Sequence, residues 1–185
     1  MTFRVFYILC CILLLACKPA LDQLELETLQ GKKELVLKKK ADRTIYFFLS
    51  PDCPLSQNYS VQIKQIAEIL LPTENLLLII PSEFYSKKEI EAFLMKYQMS
   101  QINCLLDPEK KLINRFEVSV SPEVVLYDNQ NNRKVFQGKI DNWIEELGVK
   151  RREASEHYLK SALLAHRERQ DLEFQYIRPI GCYIE

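Results

Sequence analysis

The amino-acid sequence predicts an α/β fold in which helices flank a mixed central sheet. Two continuous apolar runs, residues 45–49 and 76–80, are typical of strands that are buried on both faces of a sheet. A segment with helical periodicity follows each run, and this alternation predicts that the two strands are parallel. Two later strand-like segments, 123–127 and 133–137, flank the polar turn 128–132 and add antiparallel strands.

The N-terminal part of this fold is predicted to be a β-hairpin. Residues 24–28 and 34–38 alternate apolar and polar side chains around Gln30-Gly31, which is the pattern of two strands joined by a turn. After the first buried strand, Pro54 stands where a helix would begin, because a missing N–H costs nothing there. One face of this helix should be buried, and it consists of Tyr59, Ile63, Ile66, Ala67 and Leu70.

Two more helices and a short strand follow in the second half of the chain. Ser86 and Glu89 have the spacing of a capping box and predict the start of a helix. Residues 102–106 predict a short strand, and Asp107-Pro108 predicts the start of a short helix that runs to about Phe116.

The C-terminal part is predicted to be one amphipathic helix and a tail. The helix spans about residues 153–167, and its buried face consists of Tyr158, Leu159, Ala162 and Leu163. The tail, residues 174–184, is expected to be extended.

Residues 1–16 predict a signal peptide rather than part of the fold. Their apolar run is too short to span a bilayer comfortably. The run ends in Leu14-Leu15-Ala16-Cys17, which resembles the lipobox of bacterial lipoproteins. This resemblance implies cleavage before Cys17 and a lipid on that cysteine. A tether over residues 17–23 and a single folded domain over residues 24–185 are then expected.

A lipid on Cys17 would hold the protein at the bacterial cell envelope, facing the periplasm, with the outer membrane as the expected anchoring site. The alternatives are an uncleaved anchor or an ordinary secretory signal. Cys10 and Cys11 would be lost with a cleaved signal. The cysteines then left for chemistry can form at most one disulfide, and they are Cys53, Cys104 and Cys182.

The composition argues against several classes of function. The chain has 25 lysines and arginines, 25 aspartates and glutamates, and no basic stripe, so nucleic acid is not an expected partner. No C-x-x-C-H haem motif is present, and four glycines leave no room for a glycine-rich phosphate loop. His157 and His166 lie nine residues apart and are expected at the surface, so neither a metal nor a cofactor is predicted.

Cys53 is the strongest candidate for chemistry. It lies between the buried strand 45–49 and the helix that begins at Pro54, so its sulfur should lie near the N–H groups of a helix N-terminus. This position favours the thiolate, which is the nucleophilic form. Asp52 adds a negative charge beside it, so we expect only a modest depression of the Cys53 pKa. The alternative is an inert buried cysteine.

The order of motifs around Cys53 resembles the thioredoxin fold, and more narrowly its redoxin, peroxiredoxin-like branch. The segments that carry this resemblance are 48–59, Leu106-Asp107-Pro108, 120–127, 137–141 and 180–184. The resemblance implies that Pro122 follows a cis peptide bond and faces Cys53. It also implies that Ser121 presents backbone groups that can pair with a bound substrate peptide.

The chain departs from this family pattern at two positions. Ser56 stands where C-x-x-C proteins have their second cysteine, and it can at best donate a hydrogen bond to the Cys53 sulfur. Ser50 matches the Thr or Ser that peroxiredoxins carry three residues before their reactive cysteine and would also bond to the sulfur. Tyr46, however, replaces the proline that those enzymes carry four residues earlier. The peroxidase pattern is therefore half present.

The missing second cysteine draws attention to Cys182, which lies in the turn-forming segment Pro179-Ile180-Gly181-Cys182. One hypothesis is that the tail folds back and that Cys182 resolves adducts of Cys53; the other is a structural or spare cysteine. Cys104 lies within a strand-like segment and is expected to be buried and inert.

Three functions follow as hypotheses. The first is an envelope thiol-disulfide oxidoreductase, in which Cys53 attacks the disulfide of a partner protein and Cys182 or an external thiol resolves the adduct. The second is a thiol peroxidase, in which a small peroxide oxidises Cys53 to the sulfenic acid. The third is a binding module that no longer turns over and holds a partner in the groove at Ser121 and Pro122.

Overall fold

In a computed structural model of the 185-residue chain, the described residues are 21–37, 40–81, 83–168 and 173–184. The predicted signal peptide, residues 1–16, and the predicted lipidation site, Cys17, lie outside the described residues.

The folded domain begins before residue 24. Leu21–Gln23 form a short 3-10 helix, and the side chain of Leu21 is 1% exposed. Leu21 packs in the same hydrophobic cluster as Leu24, so its burial favours a folded position for this segment. Residues 21–23 therefore belong to the domain, although the sequence pattern placed them in the tether.

Twelve strands and five α-helices make up the described part of the chain. The strands are β1 Glu25–Thr28, β2 Lys33–Leu35, β3 Arg43–Phe48, β4 Glu74–Ile80, β5 Asn103–Leu106, β6 Val120–Ser121, β7 Glu123–Asp128, β8 Arg133–Gly138, β9 Ile144–Glu146, β10 Val149–Lys150, β11 Gln175–Ile177 and β12 Cys182–Tyr183. The helices are α1 Pro54–Asn58, α2 Ser60–Glu68, α3 Lys87–Lys96, α4 Lys111–Phe116 and α5 Tyr158–Arg167.

The main sheet has eight strands in the order β11-β8-β7-β3-β4-β5-β1-β2. Strands β3, β4 and β5 are parallel, as the alternation of strands and helices predicted, whereas β7 and β8 are antiparallel. The predicted N-terminal hairpin is β1 and β2, and β1 pairs with β5 at one edge. In the tail, β11 pairs in parallel with β8 at the other edge. The predicted fold class, a mixed sheet flanked by helices, is confirmed.

Strand β3 is buried on both faces, as its continuous apolar sequence predicted. Phe47 belongs to the main hydrophobic cluster, where the buried faces of α2, α3 and α5 pack through Ile63, Phe93 and Leu163. Phe48 points to the other face and packs in a second cluster with Leu77 and Phe116. Both phenylalanines are fully buried. The period of two along a strand therefore divides one apolar run between two cores.

The predicted helix after Cys53 is two helices, α1 and α2, which meet at Tyr59. The phenol of Tyr59 is buried and donates a hydrogen bond of 2.8 Å to the Asp141 carboxylate. Burial and the negative charge of Asp141 raise the pKa of Tyr59. Because α1 has only five residues, its N-terminus favours a thiolate less than the continuous helix predicted from the sequence would.

Helix α4 begins at Lys111, later than the Asp107-Pro108 start that the sequence predicted. The Asp107 carboxylate accepts hydrogen bonds from the N–H groups of Lys111, Leu112 and Ile113 at 2.8–3.0 Å. Asp107 therefore caps the helix from outside it. Burial raises the pKa of Asp107, although these N–H groups act in the opposite direction.

The last helix, α5, begins at Tyr158, five residues after the predicted start. The side-chain oxygen of Asn142 accepts hydrogen bonds from the N–H groups of Ser155 and Glu156, which hold the preceding segment in a loop. The sequence analysis also missed the small antiparallel hairpin of β9 and β10. Its strands are short and mostly exposed, so they leave no apolar pattern to detect.

A group of five side chains, here called the charged cluster, lies where β3 and β4 begin and β7 ends, and it consists of Arg43, Glu74, Asp128, His166 and Arg167. His166 Nδ1 accepts a 2.6 Å hydrogen bond from Arg43 Nε, and His166 Nε2 lies 3.0 Å from an Asp128 oxygen. The expectation that His166 is a surface residue is therefore wrong. This histidine joins α5 to the sheet, whereas His157 is exposed.

Candidate active site

Cys53 lies at the junction that the sequence predicted, between the end of β3 and the start of α1. A turn joins them, in which the Cys53 N–H donates to the Ser50 carbonyl oxygen at 3.1 Å. Cys53 is the N-cap residue of α1 and has an extended backbone, and Pro54 is the first residue of the helix. The Cys53 side chain is only 1% exposed and belongs to the main hydrophobic cluster.

The loop opposite Cys53 carries the predicted cis peptide bond, between Ser121 and Pro122. Both residues are buried. The carbonyl oxygen of Ser121 lies 3.1 Å from Cys53 Sγ, so the cis bond and the cysteine face each other. In the dithiol state the Cys53 thiol can donate a hydrogen bond to this oxygen.

Cys182 is joined to Cys53 by a disulfide that spans 129 positions of sequence, with a Cα–Cα distance of 6.1 Å. The tail reaches this position as β12, which pairs antiparallel with β6 so that Cys182 lies opposite Ser121. Two residues after Cys182, the Ile184 N–H donates to the Ser119 carbonyl oxygen at 3.1 Å. The hypothesis that the tail folds back on Cys53 thus describes the geometry, while a resolving role for Cys182 remains a proposal.

Gly181 allows the tail to approach this loop so closely. A Cβ atom at Gly181 would overlap the backbone carbonyl group of Ser121. Any side chain at position 181 would therefore push β12 away from β6. The tail strand occupies the same edge, beside the cis peptide bond, at which the sequence analysis expected a substrate peptide to pair.

Ser50 and Ser56 lie beside Cys53, but neither bonds to its sulfur. The hydroxyl of Ser56 accepts a hydrogen bond of 3.2 Å from the Ser50 N–H, and the Ser121 hydroxyl donates to the Ser50 hydroxyl at 2.8 Å. The predicted hydrogen bonds to the Cys53 sulfur are therefore replaced by bonds that join the turn after β3 to the cis-proline loop. Both serines are buried, and each is paired with a backbone or hydroxyl group.

A cleft of about 400 Å³ leads from solvent to the disulfide. Its lining includes both cysteines, Asp52, Phe84 and Tyr183. Phe84 and Tyr183 are 62% and 82% exposed, which is high for aromatic side chains. Neither residue was predicted from the sequence as part of the site. Tyr183 lies within the segment 180–184 that carries the family resemblance, whereas no motif marks Phe84.

A second group of polar contacts fixes the start of α1. Gln57 donates to the Pro51 carbonyl oxygen at 2.8 Å and accepts a hydrogen bond of 2.8 Å from the Tyr97 hydroxyl. These contacts hold the turn that presents Cys53 against Tyr97, the C-cap residue of α3. They act on the position of the cysteine without contact to its sulfur.

Cys104 lies in β5 and is buried, as predicted. Burial raises the pKa of its thiol to about 12, so it is protonated near neutral pH. Because the thiolate is the reactive form, Cys104 is a suitable reference thiol for experiments on the other two cysteines.

Within the described ranges 21–37, 40–81, 83–168 and 173–184, no helix is both long and apolar enough to cross a membrane. These ranges also hold no group of three or more His, Cys, Asp or Glu side chains placed to bind a metal ion.

Comparisons with solved structures identify the fold. A hypothetical protein from Sinorhizobium meliloti superposes with a TM-score of 0.72 at 19% identity, over 87% of this chain and 89% of that chain. The exposed lipoprotein thioredoxin of Streptococcus pneumoniae gives 0.57 at 16% identity, over 80% and 98%. A secreted disulfide oxidoreductase of Mycobacterium tuberculosis gives 0.51 at 21% identity, over 60% and 80%.

Sequence comparisons add no closer relative, since neither a protein-family profile nor a curated protein matches the chain. At these low identities the structural matches identify the fold alone. The chain therefore has a thioredoxin-like fold, as the order of its motifs predicted.

Proposed function

We propose that the chain is a thiol-disulfide oxidoreductase that cycles between a Cys53–Cys182 disulfide and a dithiol. The observation that carries this proposal is the disulfide itself, which lies beside the cis bond before Pro122 and at the end of a cleft open to solvent. One of the similar structures, the secreted protein of Mycobacterium tuberculosis, is described as a disulfide oxidoreductase. That description supports the same chemistry here.

The oxidative half of the cycle starts from the dithiol. The Cys53 thiolate attacks one sulfur of a partner disulfide, forms a mixed disulfide and releases the other partner sulfur as a thiolate, which takes a proton from water. The Cys182 thiolate then attacks the Cys53 sulfur and releases the second partner thiolate. Two electrons pass to the partner, and the Cys53–Cys182 disulfide remains. An external dithiol, or two monothiols, must supply two electrons to restore the starting state.

The position of Cys182 supplies what the C-x-x-C pattern lacks in this chain. Ser56 has no thiol and so cannot close a disulfide with Cys53, and its buried hydroxyl accepts a hydrogen bond from the Ser50 N–H. Cys182 provides the second sulfur from a strand that pairs directly with Ser121. We propose that the backbone of Ser121 and the ring of Pro122 shape the site at which the partner disulfide docks, once β12 has moved.

The test uses the full chain, its Cys53→Ser and Cys182→Ser variants, and a Cys104→Ala control. Each protein is assayed for catalysis of insulin reduction by dithiothreitol, and each is equilibrated in glutathione redox buffers. We expect wild type and Cys104→Ala to catalyse and to titrate as a two-electron couple, and both other variants to lose turnover. A wild-type disulfide that no native-state reductant opens would refute the proposal.

The same proteins separate the two other hypotheses. Fast consumption of hydrogen peroxide that depends on Cys53, without insulin reduction, would support a thiol peroxidase. No turnover in either assay, with tight binding of an unfolded cysteine-containing protein, would support a binding module.

We also propose that the protein works outside the cytoplasm and is held to the membrane by a lipid on Cys17. Support comes from the lipobox-like sequence before Cys17 and from similar structures described as secreted or as an exposed lipoprotein. Expression in a bacterium with radiolabelled palmitate should label wild type but not a Cys17→Ser variant. Equal labelling of the two proteins would refute the lipidation site.

A further inference from the structure

The two sulfurs of the disulfide are unequally placed. Cys53 is 1% exposed and belongs to the main hydrophobic cluster, whereas Cys182 is half-buried and packs only against the edge of that cluster. From this difference we infer that the thiol which reopens the disulfide attacks Cys182, not Cys53. The inference rests on the proposed oxidoreductase function and names the sulfur at which electrons enter.

The burial of Cys53 limits which sulfur an external thiolate can attack. A thiolate attacks a disulfide along the axis of the S–S bond, from the far side of the sulfur that it attacks. Cys53 packs as a buried member of the main hydrophobic cluster, and the Ser121 carbonyl oxygen lies 3.1 Å from its sulfur. An incoming thiolate there would meet apolar side chains and a carbonyl oxygen that repels its charge.

The approach to Cys182 is open. Cys182 lies in β12, a two-residue strand, and the next side chain, Tyr183, is 82% exposed. The cleft borders both cysteines, of which Cys182 is the more exposed. Phe84 and Tyr183 also line the cleft, and Asp52 is the one charged side chain among the described residues that do so. The cleft therefore suits a neutral or cationic thiol, or a protein thiol in an apolar segment, better than an anionic one.

The reaction balances as an exchange. An external thiolate bonds to the Cys182 sulfur, the Cys53–Cys182 bond breaks, and Cys53 leaves as a thiolate that takes up a proton. A second external thiol then attacks the external sulfur, leaves with it as a disulfide and releases Cys182. Electrons thus enter at Cys182 and leave at Cys53, which the Proposed function assigns as the sulfur that attacks the partner disulfide.

Chemical trapping tests this assignment on the oxidised full chain. The protein is mixed with 2-mercaptoethanol, quenched in acid at a series of early times, denatured and alkylated with N-ethylmaleimide, and its peptides are mapped by mass spectrometry. We expect the first adducts to carry mercaptoethanol on Cys182 and maleimide on Cys53, in a ratio of at least about ten to one. Cys104 should carry maleimide throughout and serves as the internal reference.

The opposite pattern, mercaptoethanol on Cys53 and maleimide on Cys182, would overturn the inference and leave the oxidoreductase proposal intact. Equal amounts of the two adducts at the earliest time would also overturn it. A disulfide that never opens under native conditions would overturn both, because no redox cycle would then exist.

A second experiment tests the charge preference of the cleft. The rate at which cysteamine reduces the Cys53–Cys182 disulfide is compared with the rate for 2-mercaptoethanesulfonate, and each rate is divided by that of the same thiol with 2-hydroxyethyl disulfide. Equal normalised rates would exclude a charge preference.

Discussion

The two ends of β3 fasten the C-terminal part of the chain in different ways. At the start of the strand, the charged cluster holds α5, and Arg167 donates hydrogen bonds to both oxygens of the buried Glu74 carboxylate. Beyond the other end, the tail is held at Cys53 by one disulfide and by the two-residue strand β12. The first attachment has several members that share partners. The second depends on one bond that thiols can open.

This difference separates a permanent attachment from a reversible one. Freeing α5 would remove Arg167 from the buried carboxylate of Glu74 and His166 from that of Asp128, and the loss of these partners is costly. Freeing β12 exposes little apolar surface, because Tyr183 is already exposed and Cys182 is half-buried. Reductant should therefore release only the tail strand β12, and acid should weaken only the attachment of α5 at the charged cluster.

Removal of the disulfide should have the largest effect. In Cys182→Ser, exchange turnover should fall by about 100-fold or more, because no second sulfur resolves the adduct. The free energy of unfolding should fall by about 2–4 kcal/mol relative to the oxidised wild type, because the open chain gains conformational entropy. Denaturant titrations of oxidised, reduced and variant proteins measure this. A variant as stable as the oxidised protein would contradict a tail fastened by this bond.

Loss of the central carboxylate of the charged cluster should have the next largest effect. Glu74→Gln should lower the free energy of unfolding by about 3 kcal/mol, because Arg43 and Arg167 lose a buried ionic partner. The loss should be the same in the oxidised and reduced states. In the matched control, Glu27→Gln breaks the exposed Glu27–Lys87 pair and should cost less than about 1 kcal/mol. A changed rate of disulfide exchange in Glu74→Gln would show that the two ends are coupled.

Acid should weaken the charged cluster in both the oxidised and the reduced protein. Burial opposes ionisation of Glu74 and Asp128, but hydrogen bonds from Arg167 and Asn131 and nearby positive charges hold both pKa values below their usual range. Their contribution is therefore complete above the unfolded-state pKa values, near about 4, and is lost as the pH falls through the folded-state values. Denaturant midpoints from pH 7 to 3 should fall in parallel for the oxidised and reduced proteins.

Two other carboxylates act in the opposite direction and must be separated from this effect. Burial raises the pKa values of Asp107 and Glu123, so their protonation offsets part of the acid loss. The Glu74→Gln variant identifies the Glu74 share, because its stability should depend less on pH between about 4 and 3. An unchanged pH profile in that variant would contradict the assignment.

Gly181→Ala should have a smaller effect that is confined to the oxidised state. The added Cβ would overlap the Ser121 carbonyl group, so β12 must shift away from β6 while the disulfide holds it there. We expect a loss of about 1–3 kcal/mol in the oxidised protein and a disulfide that is easier to reduce. An equal loss in the reduced protein would mean that the tail stays docked without the bond.

Asp52→Asn should have the smallest effect, seen only in kinetics. Removing the carboxylate at the cleft should speed reduction of the disulfide by the anionic thiol 2-mercaptoethanesulfonate by about two- to five-fold at low salt. Cysteamine should gain no such advantage. Glu146→Gln, which removes an exposed charge from β9, is the control. An equal gain in that control would mean that net charge, rather than the cleft, sets the rate.

Local sequence patterns predicted most of the fold because its central elements depend on local physical rules. The continuous apolar runs of β3 and β4 require burial on both faces. Pro54 favours the start of a helix through its own backbone geometry, independently of distant contacts. The start of α5 could not be predicted in the same way. It depends on Asn142, whose side chain holds a segment that is distant in sequence.

The candidate active site also combines residues that local sequence patterns identify with residues that only the folded chain brings together. Cys53 could be identified because a cysteine between a buried strand and a helix is a local pattern. The cleft aromatics Phe84 and Tyr183 could not be identified, because they line the same cleft only in the folded chain, where the tail lies near the loop after β4. The hydroxyls of Ser50 and Ser56 lie near the sulfur as expected, but their hydrogen-bond partners are groups that only the folded chain brings close.

The sequence by itself determined the order of strands and helices and the place of Cys53 between a buried strand and a helix, because these depend on short segments with strong conformational preferences. The cis bond before Pro122 was expected from the resemblance of the motifs to the thioredoxin fold. Only the tertiary structure decided that Cys182 meets Cys53 and that one sulfur is buried while the other is open. Those facts depend on the pairing of β12 with β6, a contact between segments about sixty residues apart that no local preference specifies.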